Sequence, residues 1–524
     1  MTATTTRLCI QAFDAVPDYS TLLDTLNAAG FARHQWPDIT HLVIRDCSST
    51  RSHSPDSAVS ATTTNSTMTS SLNSSTSSLA EKMGNAIASP KQRTATTTKK
   101  NSSGSKVHAA VAAKLSAQIS MHAPNIAVLI SEPSGQSSNT SPATSSVASH
   151  LANSLFGQLR VCSVPFLAPL TPAPNTPLVS SSNLASLSIQ TSVLRSSAPG
   201  IISVSQLHTL KLLQAEAFFS WEAFTSGNSN DSLLEFGNLT TLAIDFEKDH
   251  VANDSHRYDA QKGGKSQRRV TMGIDKRRIL FPRLANLCIR KLPYTYPEAW
   301  AMFLDSPIEN LALAGKFAHI RYLDTRVLRN LRVFDMHVYL SEKSFAKFTT
   351  FVKTVMSVTS TVSSCWIRHS EVFPISVPET CGWLQLQELN VTAYLPTFTL
   401  LALVSQLPLL RRLIAQRIAR DDSEALLEPT LHAVYHVEPP GAVASTSVRD
   451  LQLHMGGSKP RVSTLQNIIY IVLSMPRLRQ LSVKQAYWSS IQAFIQTRAS
   501  AYPDLLNLEY VRHIGMKAVP AQLL

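Results

Sequence analysis

The sequence is short of charge, of paired cysteines and of long apolar runs, and each shortage excludes something. Charged residues make up 16% of the chain, against about 25% in an average soluble protein, because Ser/Thr-rich tracts dilute an ordinary globular composition. None of the six cysteines (Cys9, Cys47, Cys162, Cys288, Cys365 and Cys381) belongs to a Cys-x-x-Cys pair. That excludes the usual zinc and disulfide frameworks and predicts buried free thiols in a reducing compartment. No apolar stretch reaches the roughly 18 residues of a membrane helix, so no membrane partner is expected. Met1 to Phe13 carries no charged region followed by an apolar run, so no signal peptide is read there, and the expected location is cytoplasmic or nuclear.

The motifs of common chemistry are missing as well. There is no Gly-x-x-x-x-Gly-Lys-Ser/Thr, since Gly263-Gly264-Lys265 lacks the first glycine and sits in a polar insertion. There is no Gly-x-Ser-x-Gly elbow and no Gly-x-Gly-x-x-Gly. His432 and His436 stand four apart, but no Glu follows His432 and no third ligand is evident, so no metal site is expected. Asp421-Asp422 reads as a polar helix start, where carboxylates favour the dipole without any further role. No catalytic residue, metal ligand or cofactor site is predicted.

What is present is a recurring phrase: a proline, an apolar residue, two others, Leu, one other, then Leu, Ile or Val. Its clearest copy is Phe281-Pro282-Arg283-Leu284-Ala285-Asn286-Leu287-Cys288-Ile289. The same frame fits Pro37 with Ile39, Leu42 and Ile44, and Pro476 with Leu478, Leu481 and Val483. It fits Pro503 with Leu505, Leu508 and Tyr510, Pro408 with Leu410, Leu413 and Ala415, and Pro124 with Ile126 and Leu129. Copies without the proline begin at Leu184, Leu207, Leu239, Ile308, Leu331, Val362, Leu386 and Val448. Neighbouring copies are mostly about 23 to 32 residues apart, a period that signals stacked units.

Alternation over the last three positions predicts a short strand with one buried face. Between strands, Ser463-Thr464-Leu465-Gln466 reads as a capping box opening a helix to about Ser474, Ser489-Ser490-Ile491-Gln492 opens another, and Glu342 to Met356 has helical spacing. The proline is expected to end each helix. One unit cannot bury its apolar triplet alone. Stacked, three aliphatics per unit contribute roughly 5 to 9 kcal/mol before chain entropy is charged. At 524 residues the chain exceeds one ordinary core, and an array answers that.

With these triplets the chain resembles the leucine-rich repeats of the ribonuclease-inhibitor-like superfamily. More narrowly, it is similar to the irregular repeat region of F-box/leucine-rich-repeat proteins, over most of residues 184 to 513 and a detached piece near 7 to 47. The resemblance implies an α/β leucine-rich-repeat solenoid, a curved parallel sheet with outer helices, built of irregular repeats with long disordered insertions. It also implies an F-box-like substrate-recognition subunit of a ubiquitin ligase, with ubiquitin-ligase components as partners. Two departures stand out. The position after the strand, where the family often has Asn or Cys, holds Cys47 once and otherwise Glu247, Leu292, Lys316, Tyr394, Ala486 and His513. Residues 1–35 contain no Leu-Pro-led helical F-box.

The organisation read from composition has five parts. Residues 1–47 hold the N-terminal unit or units; 48–105 are a Ser/Thr-rich tract expected to be disordered. Residues 106–183 are an Ala/Ser/Pro-rich segment with short helices at Val107 to Met121 and Val147 to Leu155 and one or two degenerate copies. Residues 184–513 are the main array, with a basic insertion at 248–278, and 514–524 are a C-terminal tail. The balance of 48 Lys+Arg against 35 Asp+Glu gives +13. Lys262, Lys265, Arg268, Arg269, Lys276, Arg277 and Arg278 concentrate in the insertion. They support a competing reading, a basic nuclear protein contacting nucleic acid through the 262–278 loop.

Residues between and after the buried leucines face the open side of such a sheet. The candidate binding residues are therefore Arg45, Lys211, Asp245, Arg290, Asp335, His337, Asn390, Arg412, His454, Lys484, Glu509 and Arg512, with His41 and Val43 in the same rows. Their signs are mixed, whereas a nucleic-acid groove is dominated by Lys and Arg with aromatics interleaved. The expectation is a non-catalytic scaffold that binds an unidentified protein partner on its concave face, and not nucleic acid.

Overall fold

The computed structural model describes residues 5–12, 39–46, 59–64, most of 117–132 and of 151–164, 183–246, 277–416, 445–483, 510–513 and 519–520, with Tyr487 and Ile491. Short gaps fall at 198, 216–218, 227–231, 293–296, 341–343, 370–380, 393–396 and 455–461. The chain forms two compact units, Met1–Gln206 and Leu207–Leu524. The copy beginning at Leu184 therefore belongs to the first unit, and the array expected to start there is divided.

In the N-terminal unit, β1 (Thr5–Ala12) and β2 (Ile39–Asp46) pair in parallel. Then β4 (Val128–Glu132), β5 (Val161–Ser163) and β6 (Ser186–Gln190) follow in chain order, each parallel to the last. Leu8, Leu42, Leu129, Cys162 and Leu187 occupy one column of that ladder. Of these, Leu42, Leu129, Cys162 and Leu187 are fully buried. Cys162 belongs to a copy the sequence reading passed over, Leu159-x-x-Cys162-x-Val164, all three of which are 0% exposed. Burial pushes the Cys162 thiol up to about 12, so it behaves as a small apolar side chain. Strand β3 (Val59–Thr64) lies inside the tract expected to be disordered and runs antiparallel on the free edge of β1. Its run of Val and Thr is β-branched, which suits an edge strand. The rest of 48–105 lies outside the described residues, as do most of the two short helices read between 107 and 155. After β6 come α1 (Thr191–Ser196) and the short β7 (Ile202–Ser203).

The C-terminal unit is a longer ladder of the same kind. Its strands are β8 (Thr209–Ala215), β11 (Thr241–Phe246), β13 (Asn286–Leu292), β14 (Asn310–Lys316), β15 (Val333–Tyr339) and β16 (Ser364–His369). They continue as β17 (Glu388–Thr392), β18 (Arg412–Gln416), β19 (Asp450–His454), β20 (Gln480–Val483) and β21 (Tyr510–His513), with β22 (Val519–Pro520) antiparallel at the end. Every pair from β8 to β21 is parallel. The second residues of the triplets form one unbroken column: Leu210, Leu242, Leu287, Leu311, Phe334, Cys365, Leu389, Leu413, Leu451, Leu481 and Val511. From Leu210 to Leu481 none is more than 1% exposed. Parallel strands in chain order, with few helices, make this an α/β, solenoid-like arrangement.

A shared backbone joint locks the register. At β11 and from β13 to β20, the residue before the strand and the strand's first residue both donate their N–H to one carbonyl just before the preceding strand. Ala285 and Asn286 donate to Thr240 O (3.1 and 2.9 Å), and Arg332 and Val333 to Glu309 O (2.7 and 2.9 Å). Because the joint recurs along the ladder, a one-residue slip would break the joints and turn every triplet outward.

The proline has a different job from the one its position suggested. Leu284 N bonds Phe281 O, Leu410 N bonds Leu407 O and Leu478 N bonds Met475 O (3.3, 3.2 and 3.0 Å). These are tight turns with Pro282, Pro408 and Pro476 in the second place, where a fixed φ near −65° is pre-set. Helices do precede two of them, α4 (Thr397–Ser405) and α5 (Val462–Leu473). Before Pro282 stands a strand instead, β12 (Arg278–Leu280), parallel to β10 (Leu233–Glu235). Among the described residues, helices therefore cover only part of the unit: α2 (Phe317–Ile320), α3 (Phe345–Val358), α4 and α5. Elsewhere the chain returns through 3-10 turns at Pro297–Phe303 and Thr325–Leu328 and the short β9 (Phe224–Thr225).

Where helices are absent, rings fill the space. Trp221 packs against Phe219, Phe224, Phe236 and Phe281 at centroid distances of 5.0 to 6.1 Å. Arg277 clamps this cluster by donating to Trp221 O and Phe224 O, both at 2.9 Å. Arg278 in turn pairs with Asp305 at 3.3 Å. Two of the seven basic residues read as a nucleic-acid loop are thus held by the fold, and the other five lie outside the described residues.

Candidate functional site

In a strand, successive side chains point to opposite sides. Once the leucine column faces inward, the residues beside it form an outward column. It reads Lys211, Ala243, Cys288, Ala312, Asp335, Trp366, Asn390, Ile414 and Gln452, in register, while Ser482, next in the row, is fully buried. Two residues further along stand Asp245, Arg290, His337, Arg368, Thr392 and His454.

The densest part lies over β15 to β17. Arg368 forks onto Asp335 on the neighbouring strand, its Nε donating to Oδ1 at 3.2 Å and its Nη2 to Oδ2. Its guanidinium also lies 5.4 Å from the Trp366 ring centroid, within cation–π range. His337 packs at 5.0 Å against Tyr339, whose side is 48% exposed. Burial holds the His337 pKa below 6.5, the Arg368 charge pushes the same way, and Asp335 opposes them. Asn390 is 8% exposed. Its Oδ1, Thr392 Oγ1 on the same strand and Trp366 Nε1 on the neighbouring one are buried with no hydrogen-bond partner among the described residues. Trp300, on the other side of the sheet, shares that condition, so an orphan indole alone does not mark a site. Three such atoms on two paired strands do concentrate the cost of unmade bonds, about 1–3 kcal/mol each.

Toward β11 and β13, Lys291 adopts a left-handed backbone (φ 53°) at a register shift and reaches Asp245 at 2.9 Å. A bulge of this kind re-aims a side chain. Cys288 is half-buried, and burial raises its pKa against the lowering effect of Arg290.

The strand starts carry their own ladders. Asn310 Nδ2 donates to Asn286 Oδ1 (2.6 Å) and Asn286 Nδ2 to Thr241 Oγ1 (3.2 Å). Arg412 is flanked by Glu388 at 3.3 Å and Asp450 at 3.4 Å. This is a cross-strand asparagine ladder at a position other than the one where the family resemblance placed its asparagines.

The expected binding residues sort accordingly. The structure gathers Asp245, Arg290, Asp335, His337 and Asn390 on one stretch of sheet, with exposed Lys211 at its edge. Arg412 sits at a strand start and is ion-paired, and His454 lies beside Gln452 at the far end. Arg45 is on β2, in the other unit. Val43 is a correction: it is 1% exposed and therefore on no open face. The last copy is a second correction, because Leu481 pairs with Val511 and not with Leu508. That three-residue shift puts Arg512 in register with Ser482 and leaves Glu509 before the strand, outside the described residues, where Lys484, His432 and His436 also lie. Tyr339, Trp366 and Arg368 were missed. Tyr339 follows the Leu331 copy, past the positions read for it; the copy of Trp366 and Arg368, Val362-x-x-Cys365-x-Ile367, has the weakest apolar spelling, although its own alternation would have pointed both outward.

Among the described residues no group of three or more His, Cys, Asp or Glu side chains is placed to hold a metal ion, and no helix is long and apolar enough to cross a membrane. No protein-family model matches the chain, and no curated protein matches its sequence.

Proposed function

We propose that this chain is an irregular leucine-rich-repeat solenoid serving as a non-catalytic scaffold, and that it binds a protein partner on the outward face of its C-terminal ladder. The reading of the units as leucine-rich repeats is supported by the recurring triplet, its period and its in-register stacking. The binding role rests on one observation above the others. Trp366, Arg368, Tyr339, His337, Asp335 and Asn390 are clustered over β15 to β17 on the side of the sheet opposite the leucine column. Trp, Tyr and Arg are the side chains that dominate protein–protein hot spots, and a Trp–Arg–Asp contact offers an apolar plane beside paired charge. The outward column is of mixed sign, which suits a protein surface better than a polyanion.

The test is site-directed photo-crosslinking in the cells the protein comes from. A benzophenone amino acid at Tyr339 should yield discrete crosslinked partners. The same group at Leu384, which is 55% exposed outside the ladder strands, should not. Ubiquitin-ligase components among the Tyr339 products would identify the adaptor form of this role. No crosslink at Tyr339, or equal products at both positions, would sink the proposal.

A further inference from the structure

Three polar side chains on β16 and β17 stand together with bonds unmade. Trp366 and Asn390 are paired across those strands, and two residues further along Arg368 is paired with Thr392. Trp366 Nε1, Asn390 Oδ1 and Thr392 Oγ1 are each buried without a hydrogen-bond partner among the described residues. Asn390 is 8% exposed, and on its other side, on β18, stands Ile414, equally enclosed. Trp366 and Thr392 are half-buried, so the group lies at the surface of the outward face and not in the leucine layer. Unmet bonds in buried groups are rare, and the packing does not require these. Ile414, in the same row, shows that an aliphatic side chain fits there.

The three atoms define what would satisfy them. The indole N–H needs an acceptor, the amide oxygen needs a donor, and the hydroxyl takes either. A carboxylate supplies acceptors alone and would set an oxygen against that of Asn390. An ammonium or guanidinium supplies donors alone, beside the Arg368 charge that lies 5.4 Å from the Trp366 ring centroid. A backbone peptide group points its N–H and C=O to opposite sides, so one such group serves only one of the atoms. A hydroxyl must serve all of them from a single oxygen, although their backbones lie about 4.8 Å apart across the strands and about 6.6 Å along one. The primary carboxamide of Asn or Gln carries one acceptor oxygen and two N–H donors apart in one plane, matching the trio in number and kind.

We propose that this trio is the seat of a carboxamide, a Gln or Asn side chain of the protein partner inserted over Asn390 between Trp366 and Ile414. The half-buried indole is the side chain that turns aside to admit it. The inference rests on the scaffold role proposed above and adds the chemistry by which the partner is recognised.

The test is a proton–nitrogen correlation spectrum of the full chain labelled at its tryptophan indoles. Of the six indole signals, Trp366→Phe and Trp383→Phe each remove one and so identify them. N-acetylglutamine methylamide, added to roughly 0.1 M, ample for so small a probe, should move the Trp366 signal downfield and saturably as its proton gains an acceptor. The Trp383 signal should stay in place, because that N–H is already bonded to Thr359. N-acetylmethionine methylamide and N-acetylserine methylamide, with the same backbone groups but no carboxamide, should leave both signals unmoved. Asn390→Leu should weaken the glutamine probe roughly tenfold and leave the urea midpoint of the free chain equal or higher, opposite signs that a merely structural residue does not give. Thr392→Val, which keeps the shape, should weaken the probe about threefold. No saturable movement, equal movement with either control probe, or undiminished affinity in both variants would overturn the inference. So would crosslinks at Tyr339 that survive Asn390→Leu at full yield, and the scaffold role would then stand without it. Absence of those crosslinks in the parent would remove both.

Discussion

Leu287 and Cys288 are neighbours on β13, and the columns they belong to obey different rules. The inward column from Leu210 to Leu481 is Leu at every strand but two, where Phe334 and Cys365 stand. The outward column includes Lys, Ala, Cys, Asp, Trp, Asn, Ile and Gln across the same strands. An inward residue has one requirement, to fill space in an apolar layer continuous with the units on either side. An outward residue answers only to its cross-strand neighbours and to whatever covers the sheet. Uniformity on one side and variety on the other show that the inward column carries the fold, and they leave the outward column free to carry specificity.

Substitutions in adjacent residues should expose that asymmetry most sharply. Leu287→Asp puts an unpaired carboxylate into the stacked layer and should cost at least about 3 kcal/mol, enough to lose cooperative unfolding of the C-terminal unit. Cys288→Ser, one residue away on the other side, should stay within about 0.5 kcal/mol of the parent. Urea titration followed by tryptophan fluorescence separates the two. Similar midpoints for both variants would mean that β13 does not present Leu287 inward.

The tryptophans offer a subtler version of the same contrast. Trp383 is fully buried, and its indole N–H donates to Thr359 Oγ1 at 2.6 Å, the Thr359 hydroxyl in turn donating to Val355 O. Gly382 before it admits no side chain, because a Cβ there would strike the Met356 carbonyl. On the outward side, Trp366 Nε1 is buried without a partner among the described residues. Trp383→Phe should therefore destabilise by about 1–3 kcal/mol by breaking a satisfied buried bond. Trp366→Phe, which removes an N–H that is bonded to nothing described, should leave the midpoint unchanged or slightly higher, within about 0.5 kcal/mol. If Trp366→Phe proved the more damaging, the outward column would have to be counted as part of the core.

This asymmetry also explains what could be read before the fold was known. The triplets were legible because burial imposes one chemistry on them: Leu284, Leu287 and Ile289 are each at most 1% exposed, as are Leu386 and Leu389. The final strand slipped because Leu505, Leu508 and Val511 are spaced by threes, so Leu508 serves in either of two frames, and the strand pairing that decides between them leaves no mark in the side chains. Helix-forming stretches were legible where periodicity ran long, as in α3 and α5. The return through β12 was not, because three residues carry no period, and the ring cluster around Trp221 is assembled from segments dispersed along the chain. On the open face, alternation identified Asp335 and His337 but not their coupling to Arg368, which depends on a cross-strand contact 33 residues away.

The smallest expected effect is one of pH, and it tests whether the outward face is desolvated even when bare. Burial, and then the Arg368 charge, hold the His337 pKa below its ordinary 6.5 against the opposing pull of Asp335. A lowered folded-state value means that the unfolded chain holds more protons through that window, so stability rises with pH. The contribution is present above the ordinary value and is lost as pH falls through it and on through the lower folded value. His337→Gln cannot gain the charge, so its urea midpoint should match the parent's near about pH 8 and fall less steeply toward about pH 5, the difference curve isolating this one group from the other histidines. Parallel curves would show that water already reaches the imidazole, and the face over β15 to β17 would then be an open polar surface instead of a partly dried seat for a partner.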